Sequence, residues 1–325
     1  MSSEHILAQS PSSFGISSYA QELMCFVGQQ MVFSDAEQML HTLKGVNINA
    51  KQIERVCHYY GSLIEEEDAE MTKNQVCHSY SPGQRNQLHY AMLDGAMYLT
   101  REQKWKEAKI GRIFKANDMV ELSDKRNTIT NSMYVAHLGS QKEFFPKFEY
   151  YLDELKSLVI IADGATWIWK WADDLYPHAT QILDFYHAKE HLCQFAINYF
   201  KDTQVRHQWI EEQCQTMLEN DVGKVIEAIE QLPASTTKAT EDQKQNLIGY
   251  YRKNRKRMRY SVFLKSGLLI GSGAIESAHR NVLQQRMKLS GQRWTMAGFQ
   301  QMANLRVVYK SNKWSRVTAL TKMAA

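Results

Sequence analysis

Apolar positions recur every three to four residues through the first part of the chain and predict helices over residues 15–70. Ser34 followed by Glu37 has the spacing of a capping box, Met39, Leu40 and Leu43 form the apolar face behind it, and Gly45 supplies a C-terminal stop. Asn49 with Gln52 predicts a second helix start, after which Ile53, Val56, Cys57, Tyr60, Leu63 and Ile64 return at helical spacing. The short Gly-Val-Asn-Ile-Asn connection makes the pair helix-turn-helix-like, a pattern that any small helical hairpin shares. The acidic run Glu65, Glu66, Glu67, Asp68 and Glu70 closes this module, which is taken as residues 1–70, and the polar stretch 71–86 reads as a linker.

Beyond residue 86 the period changes. Leu88–Asp94, Ala96–Thr100 and Ile110–Leu122 alternate or run apolar between Gly-containing turns and predict a three-strand meander. A helix over Gln141–Lys156 follows, then a continuous apolar strand Ser157–Asp163, a helix over Trp167–Asp174, a strand Gln181–Phe185 and a helix through His191. The order β-β-β-α-β-α-β is that of an RNase H-like α/β core with a mixed sheet. Residues 190–265 lose strand character and read as an all-helical insertion, with Val222–Leu232 at clear helical period. A further helix begins at the Gly/Ser turn before Ala274 and carries Glu276 near its start, which completes a predicted catalytic domain over 87–325.

The net charge of +4 conceals an asymmetry. From Tyr250 to Ala325 there are 16 Lys or Arg against one acid, Glu276, a net +15 that leaves −11 for residues 1–249. Such a segment suits a polyanion, because cations that neutralise phosphates release condensed counterions; a solvated basic face balancing the acidic remainder is the alternative. Arg252, Lys253, Arg255, Lys256, Arg257 and Arg259 would contact phosphates without reading sequence, and Arg280, Arg286, Lys288 and Arg293 would grip a strand beside Glu276. Lys51, Gln52 and Arg55, with His58 and Tyr59, would face a major groove from the second predicted helix, making double-stranded DNA the expected partner. Trp294 is a candidate for stacking on an unpaired base, whereas Trp167, Trp169 and Trp171 read as packing residues. No run of about 18 apolar residues and no signal-like N-terminus are present, so no membrane association is expected and the expected location is the cytoplasm, at the nucleoid. The odd number of cysteines, five without a C-x-x-C pair, predicts reduced thiols.

Asp94 ends the first predicted strand and Asp163 the fourth, each followed by Gly. In this fold order those strands lie side by side, so acids at their ends can share metal ions, and an acid on a later helix can close the site. Mg²⁺ takes carboxylate oxygens, and two ions about 3.5–4 Å apart can neutralise both the attacking and the leaving oxygen of a phosphoryl transfer. One Asp-Gly at a strand end is ordinary turn chemistry. Two, joined to the only acid of the +15 segment, point to a site.

The stretches LVIIADGATWIWKWADDLYPHATQILDFYHAKEHL, LDGAMYLTREQKWKEAKIGRIF and GSGAIESAHRNVLQQRMKLSGQRWTMAGFQQMANLR together resemble DDE transposases of the Kra-type insertion sequences, which are similar in layout to Mutator-like enzymes. The likeness runs from about residue 15 to 315. It implies that Asp94, Asp163 and Glu276 are the catalytic, metal-binding triad for two Mg²⁺ or Mn²⁺ ions, acting on transposon ends and target DNA within a homo-oligomer. It also implies a D-x-x-H element, Asp184 to His187, near the scissile phosphate; a core histidine bonded to a carbonyl is the other reading of His187. His191 shares a helix face with His187, but no third ligand is evident in the sequence to make the pair a metal site. Relatives of this type are often longer at the N-terminus, so a shortened copy is one expectation. A DNA-binding remnant without chemistry and a stand-alone RNase H-like nuclease are the rival readings.

Overall fold

The computed structural model describes residues 14–74, 77–123, 126–219, 222–235 and 237–323; the first 13 residues of the predicted N-terminal module lie outside this set. The fold is mixed α/β. A five-stranded sheet runs in the order β5-β2-β1-β6-β7, where β1 is His89–Thr100, β2 Lys104–Lys115, β5 Met133–Leu138, β6 Leu158–Ala162 and β7 Thr180–Leu183. Strands β2 and β5 pair antiparallel, β6 and β7 parallel. A separate antiparallel ladder joins β3 (Met119–Ser123) to β4 (Arg126–Ile129). Among the described residues no helix is long and apolar enough to cross a membrane.

The chain forms two compact units, one of residues 1–89, 94–157 and 275–325, the other of residues 90–93 and 158–274. They do not follow the boundary read at residues 70–86. In the first unit, helices α1 (Ser18–Gly28), α2 (Phe33–Lys44) and α3 (Ala50–Lys73) cluster with the C-terminal helices α14 (Met296–Lys310) and α15 (Ser315–Met323). Polar ties explain why. Asn304 donates to Gly61 O and Glu65 Oε2, and Arg316 pairs with both Glu67 and Asp68 of the acidic run. Between these helices in sequence come α4 (Pro82–Arg85) and α5 (Gln141–Glu149); α5 stacks Phe144 on Phe148, and Phe148 lies over Gly111 of β2, where a Cβ would come within 2.3 Å of the ring.

Several local expectations are corrected. The helix cap read at Ser34 and Glu37 does not form: α2 starts after Val32 without a side-chain cap, and Glu37 instead accepts the Ala50 N–H that opens α3. Leu40 and Ala36 are the buried residues of α2, while Met39 and Leu43 are exposed. The second cap does form, Asn49 Oδ1 accepting from Gln52 N at 2.9 Å. The two short strands read over residues 88–100 are one strand, β1, so Asp94 lies within it rather than at its end. The stretch 110–122 divides into the end of β2, a 3-10 turn and β3, and the third strand of the sheet is β5, which had no strand signal.

Helices α3 and α14 approach closely at Gly61, where a Cβ would stand 2.3 Å from Gln301 O. Because the obstacle is backbone, the helices themselves must separate. Gly61→Val is expected to lower stability by about 3 kcal/mol, read as a shift of the denaturant midpoint, whereas Gly83→Ala, with nothing within 4 Å, leaves it in place.

The second unit is built on the parallel β6–β7 pair, with Ala162 opposite Leu183, and on the Tyr90–Leu93 segment of β1. A parallel pair needs a crossover, supplied by α6 (Thr166–Leu175). Helices α7 (Phe185–Tyr199), α8 (Thr203–Leu218), α9 (Val222–Gln231), α10 (Lys238–Asn254) and α11 (Tyr260–Lys265) then form the helical layer expected over 190–265. Tyr251 of α10 ties it to α7 by donating to Ala188 O at 2.9 Å.

Candidate functional site

Two acids directly follow strands of the second unit, Asp163 after Ala162 and Asp184 after Leu183, whereas Asp94 lies within β1. Acids that follow strands of an α/β sheet in this way stand at the usual ligand-binding edge. By compactness Asp94 and Glu276 belong to the first unit and Asp163 and Asp184 to the second, and each set is described on its own.

In the first unit Asp94 is half-buried. Its Oδ1 accepts from Gly95 N at 2.7 Å, and its Oδ2 lies 3.3 Å from His279 Nε2. Gly95 admits the Glu107 carboxylate, whose Oε1 would be 2.3 Å from a Cβ there, and Glu107 in turn pairs with the buried Lys109 at 2.6 Å. His279 is 3% exposed, and neither ring nitrogen has an aligned hydrogen-bond partner. Burial pushes its imidazole down to about 4, outweighing the pull of Asp94 in the other direction. Glu276 is exposed on α12 (Gly273–Ala278), three residues before His279, where a π-helical turn His279–Gln284 begins. Arg306 fastens that turn from inside: its guanidinium donates to Val282 O and Asn281 O, and to Gln29 O at 2.6 Å. π-turns inside helices are frequent at functional sites, and here the turn carries His279 towards Asp94. The His279 signal lay in the sequence as Glu-x-x-His at helical spacing, but its partner could be known only from the fold.

In the second unit Asp163 Oδ1 accepts from Ala165 N at 2.9 Å, and the Asp163 carbonyl accepts from Trp169 Nε1 at 2.7 Å. Gly164 is required by Tyr250, whose ring would stand 2.2 Å from a Cβ at that position. The Tyr250 hydroxyl is buried without a hydrogen-bond partner, and burial raises its phenol, Asp163 and Asp184 adding to the shift. Asp184 caps α7: Oδ1 accepts from Tyr186 N at 2.7 Å and His187 N at 3.3 Å, while Oδ2 accepts from Ser272 N at 3.0 Å and from the Ser272 hydroxyl. His187 is not a core histidine bonded to a carbonyl. It is partly exposed, with its Nε2 3.2 Å from His191 Nε2, and the His191 ring lies against Tyr250.

The basic residues divide by burial. Arg252, Lys253, Arg255, Lys256 and Arg259 are exposed, and Arg252, Lys253, Lys256, Arg257 and Arg259 line an open groove of about 750 Å³. Arg257, 9% exposed, is held by Asp173 at 2.7 and 2.8 Å and lies over the Trp169 ring. In the first unit Arg280, Lys288 and Arg293 are exposed, as are Lys51 and Arg55, with Lys51 paired to Glu54, while Gln52 is partly buried. Two candidates for nucleic-acid contact are corrected. Arg286 is fully buried, donates to Gly28 O at 2.9 Å and is sandwiched between Phe33 and Trp294, and Trp294 is 7% exposed. Both are consumed by this cation–π stack, which their charge and ring type could not reveal without the fold.

Among the described residues no three His, Cys, Asp or Glu side chains are gathered closely enough to hold a metal ion. The donor set nevertheless fits a divalent cation at Asp94, where a carboxylate oxygen faces an imidazole nitrogen that has no aligned hydrogen-bond partner.

No curated protein matches the chain. Residues 64–322, most of its length, match the model of the uncharacterised protein family UPF0236, and the chain therefore belongs to that family.

Proposed function

We propose that the chain is a DDE transposase of an insertion sequence, built on an RNase H-like core, that cleaves DNA at the ends of its element and joins the freed ends to a target. The observation that carries this reading is that Asp163 and Asp184 each directly follow a strand of one sheet, while Asp94 lies within the neighbouring strand β1. The strand order supports it: counting the sheet strands in chain order gives 3-2-1-4-5, the arrangement of RNase H-like folds. The motifs quoted above add the family resemblance.

In this reading Asp94, Asp163 and Glu276 hold Mg²⁺ or Mn²⁺, two ions to a site. Charge developing on the attacking and leaving oxygens of a phosphodiester would be neutralised by the ions held there. Water attacks the end phosphodiester and the leaving 3′-oxygen takes a proton; that 3′-hydroxyl then gives up its proton as it attacks a target phosphodiester, displacing the target strand's 3′-oxygen, which leaves as a 3′-hydroxyl. Asp184 holds the start of α7, and with it His187, near the strand being cut. The groove lined by Arg252, Lys253, Lys256 and Arg259, and the exposed Arg280, Lys288 and Arg293, contact phosphates, while Lys51, Gln52 and Arg55 meet the terminal repeat. Two ends must be brought together, so the working form is a homo-oligomer, in the cytoplasm at the nucleoid.

The test compares duplex DNA carrying the element's inverted repeats, duplex DNA lacking them, and an RNA/DNA hybrid, each with Mg²⁺ or Mn²⁺. Cleavage confined to repeat ends, with joined products, is the expected outcome. Cleavage of the hybrid without need for repeats would replace this reading with a nuclease, and binding without cleavage with a DNA-binding remnant.

A further inference from the structure

Outside the carboxylates, the second unit carries a pair of imidazoles; the transposase reading places one of them, His187, near the strand being cut but makes no use of the geometry of the pair. His187 and His191 are one helical turn apart on α7, their Nε2 atoms 3.2 Å apart and their rings nearly perpendicular, with centroids 4.8 Å apart. Two nitrogens bound to one metal ion at 2.0–2.1 Å, in tetrahedral geometry, stand roughly 3.3 Å apart. The observed spacing therefore matches two ligands converging on a shared cation.

We propose that His187 and His191 form a two-imidazole site for a first-row transition-metal dication of the Zn²⁺ class, separate from the carboxylate triad. Imidazole is a ligand of choice for Zn²⁺, Ni²⁺ and Cu²⁺, whereas Mg²⁺ selects oxygen, so the two sites differ in chemistry as well as in residues. Glu190 supplies the supporting contact. Its Oε2 lies 3.7 Å from His187 Nδ1, on the side of the ring away from His191, and a carboxylate there favours the proton on Nδ1 and leaves the Nε2 lone pair for the ion. Space exists for the remaining ligands. A cavity of about 330 Å³ opens beside His191, lined by Gln194, Gln243, Asn246 and Tyr250 among others, and water or a phosphate oxygen entering it can complete the coordination. The sequence alone leaves this pair without a third ligand; the fold offers solvent-accessible positions in place of one.

A single imidazole N–H shared between the two nitrogens gives the same distance without any ion, and titration of the full chain separates the two. Zn²⁺ is added in the absence of Mg²⁺ and followed by calorimetry, and Co²⁺ by its visible absorption. The expected result is one imidazole-bound ion per chain, counted as the difference between the parent chain and the histidine variants, with d–d bands free of thiolate charge transfer, which sets imidazole ligation apart from binding at the five cysteines. Binding is lost in His187→Gln and in His191→Gln, weakened about 10–100-fold in Glu190→Gln, and unchanged in Asp94→Asn and Glu276→Gln. Far-UV circular dichroism checks that each variant is folded. Absence of Zn²⁺ binding by the parent chain, or affinity unaltered by His191→Gln, overturns the site. The site stands whether or not end cleavage is found, since it uses none of the three carboxylates.

Discussion

Glu276→Gln and Asp163→Asn should each reduce metal-dependent cleavage of repeat-end DNA by about a thousandfold or more, with little change in thermal stability. Each substitution keeps the shape of the side chain and removes one negative charge. If that charge contributes several kcal/mol to holding the cations that stabilise the reacting phosphate, the rate falls by about tenfold for each 1.4 kcal/mol lost. Stability is spared for reasons visible at each position. Glu276 is exposed on α12 and makes no buried contact that the amide would forfeit. Asp163 uses Oδ1 to accept from Ala165 N at 2.9 Å, and an asparagine carbonyl can accept the same bond. Cleavage rates measured beside unfolding curves separate the two effects. Undiminished cleavage in either variant would remove that acid from the triad.

Arg306→Met should cost the first unit about 3–6 kcal/mol. The guanidinium satisfies three backbone carbonyls, those of Gln29, Asn281 and Val282, in a region where Arg306 itself is 3% exposed. Methionine restores much of the volume but removes the guanidinium donors from three oxygens, at about 1–3 kcal/mol for each buried group left unsatisfied. Burial lowers the guanidinium to about 10, still well above neutral pH, so Arg306 remains a cation there. Lysine is a poor substitute, since one ammonium on a flexible stem does not reproduce a planar fork aimed at three acceptors. Denaturant unfolding of Arg306→Met and Arg306→Lys reads both losses, and a cost under about 1 kcal/mol in the methionine variant would mean that water or a local shift replaces the fork.

What could be read in advance was whatever a single element decides for itself. The run Leu158–Ala162 is apolar at every position because β6 is buried on both faces, and Asn49 before α3 is a cap because its own side chain reaches Gln52 N. Periodicity failed where a partner decides. Met39 and Leu43 are apolar yet exposed, since α2 turns Ala36 and Leu40 inward, and β5 gave no signal because part of what covers it comes from the distant α14, Gln300 bonding to both Ala136 and Leu138. Charge misled in the same way. Arg286 counts as a cation in any tally of a basic segment, but Phe33 and Trp294 enclose it. Among the candidate site residues, the acids stood out through the Gly that follows Asp94 and Asp163, and those glycines prove to be occupied by the approaches of Glu107 and Tyr250. His279 and Tyr250 escaped notice, since neither has a local pattern that names its partner.

The double grip of Asp184 on Ser272 bears on the freedom of the segment that follows α11. Beside it the Phe185 N–H donates to Ile270 O at 2.9 Å, so residues 270 and 272 are both tied to the start of α7. The latitude of that segment is therefore governed at the mooring. The aspartate of the D-x-x-H element, whose two carboxylate oxygens accept from Tyr186, His187 and Ser272 within its own unit, works as a fastening of the chain.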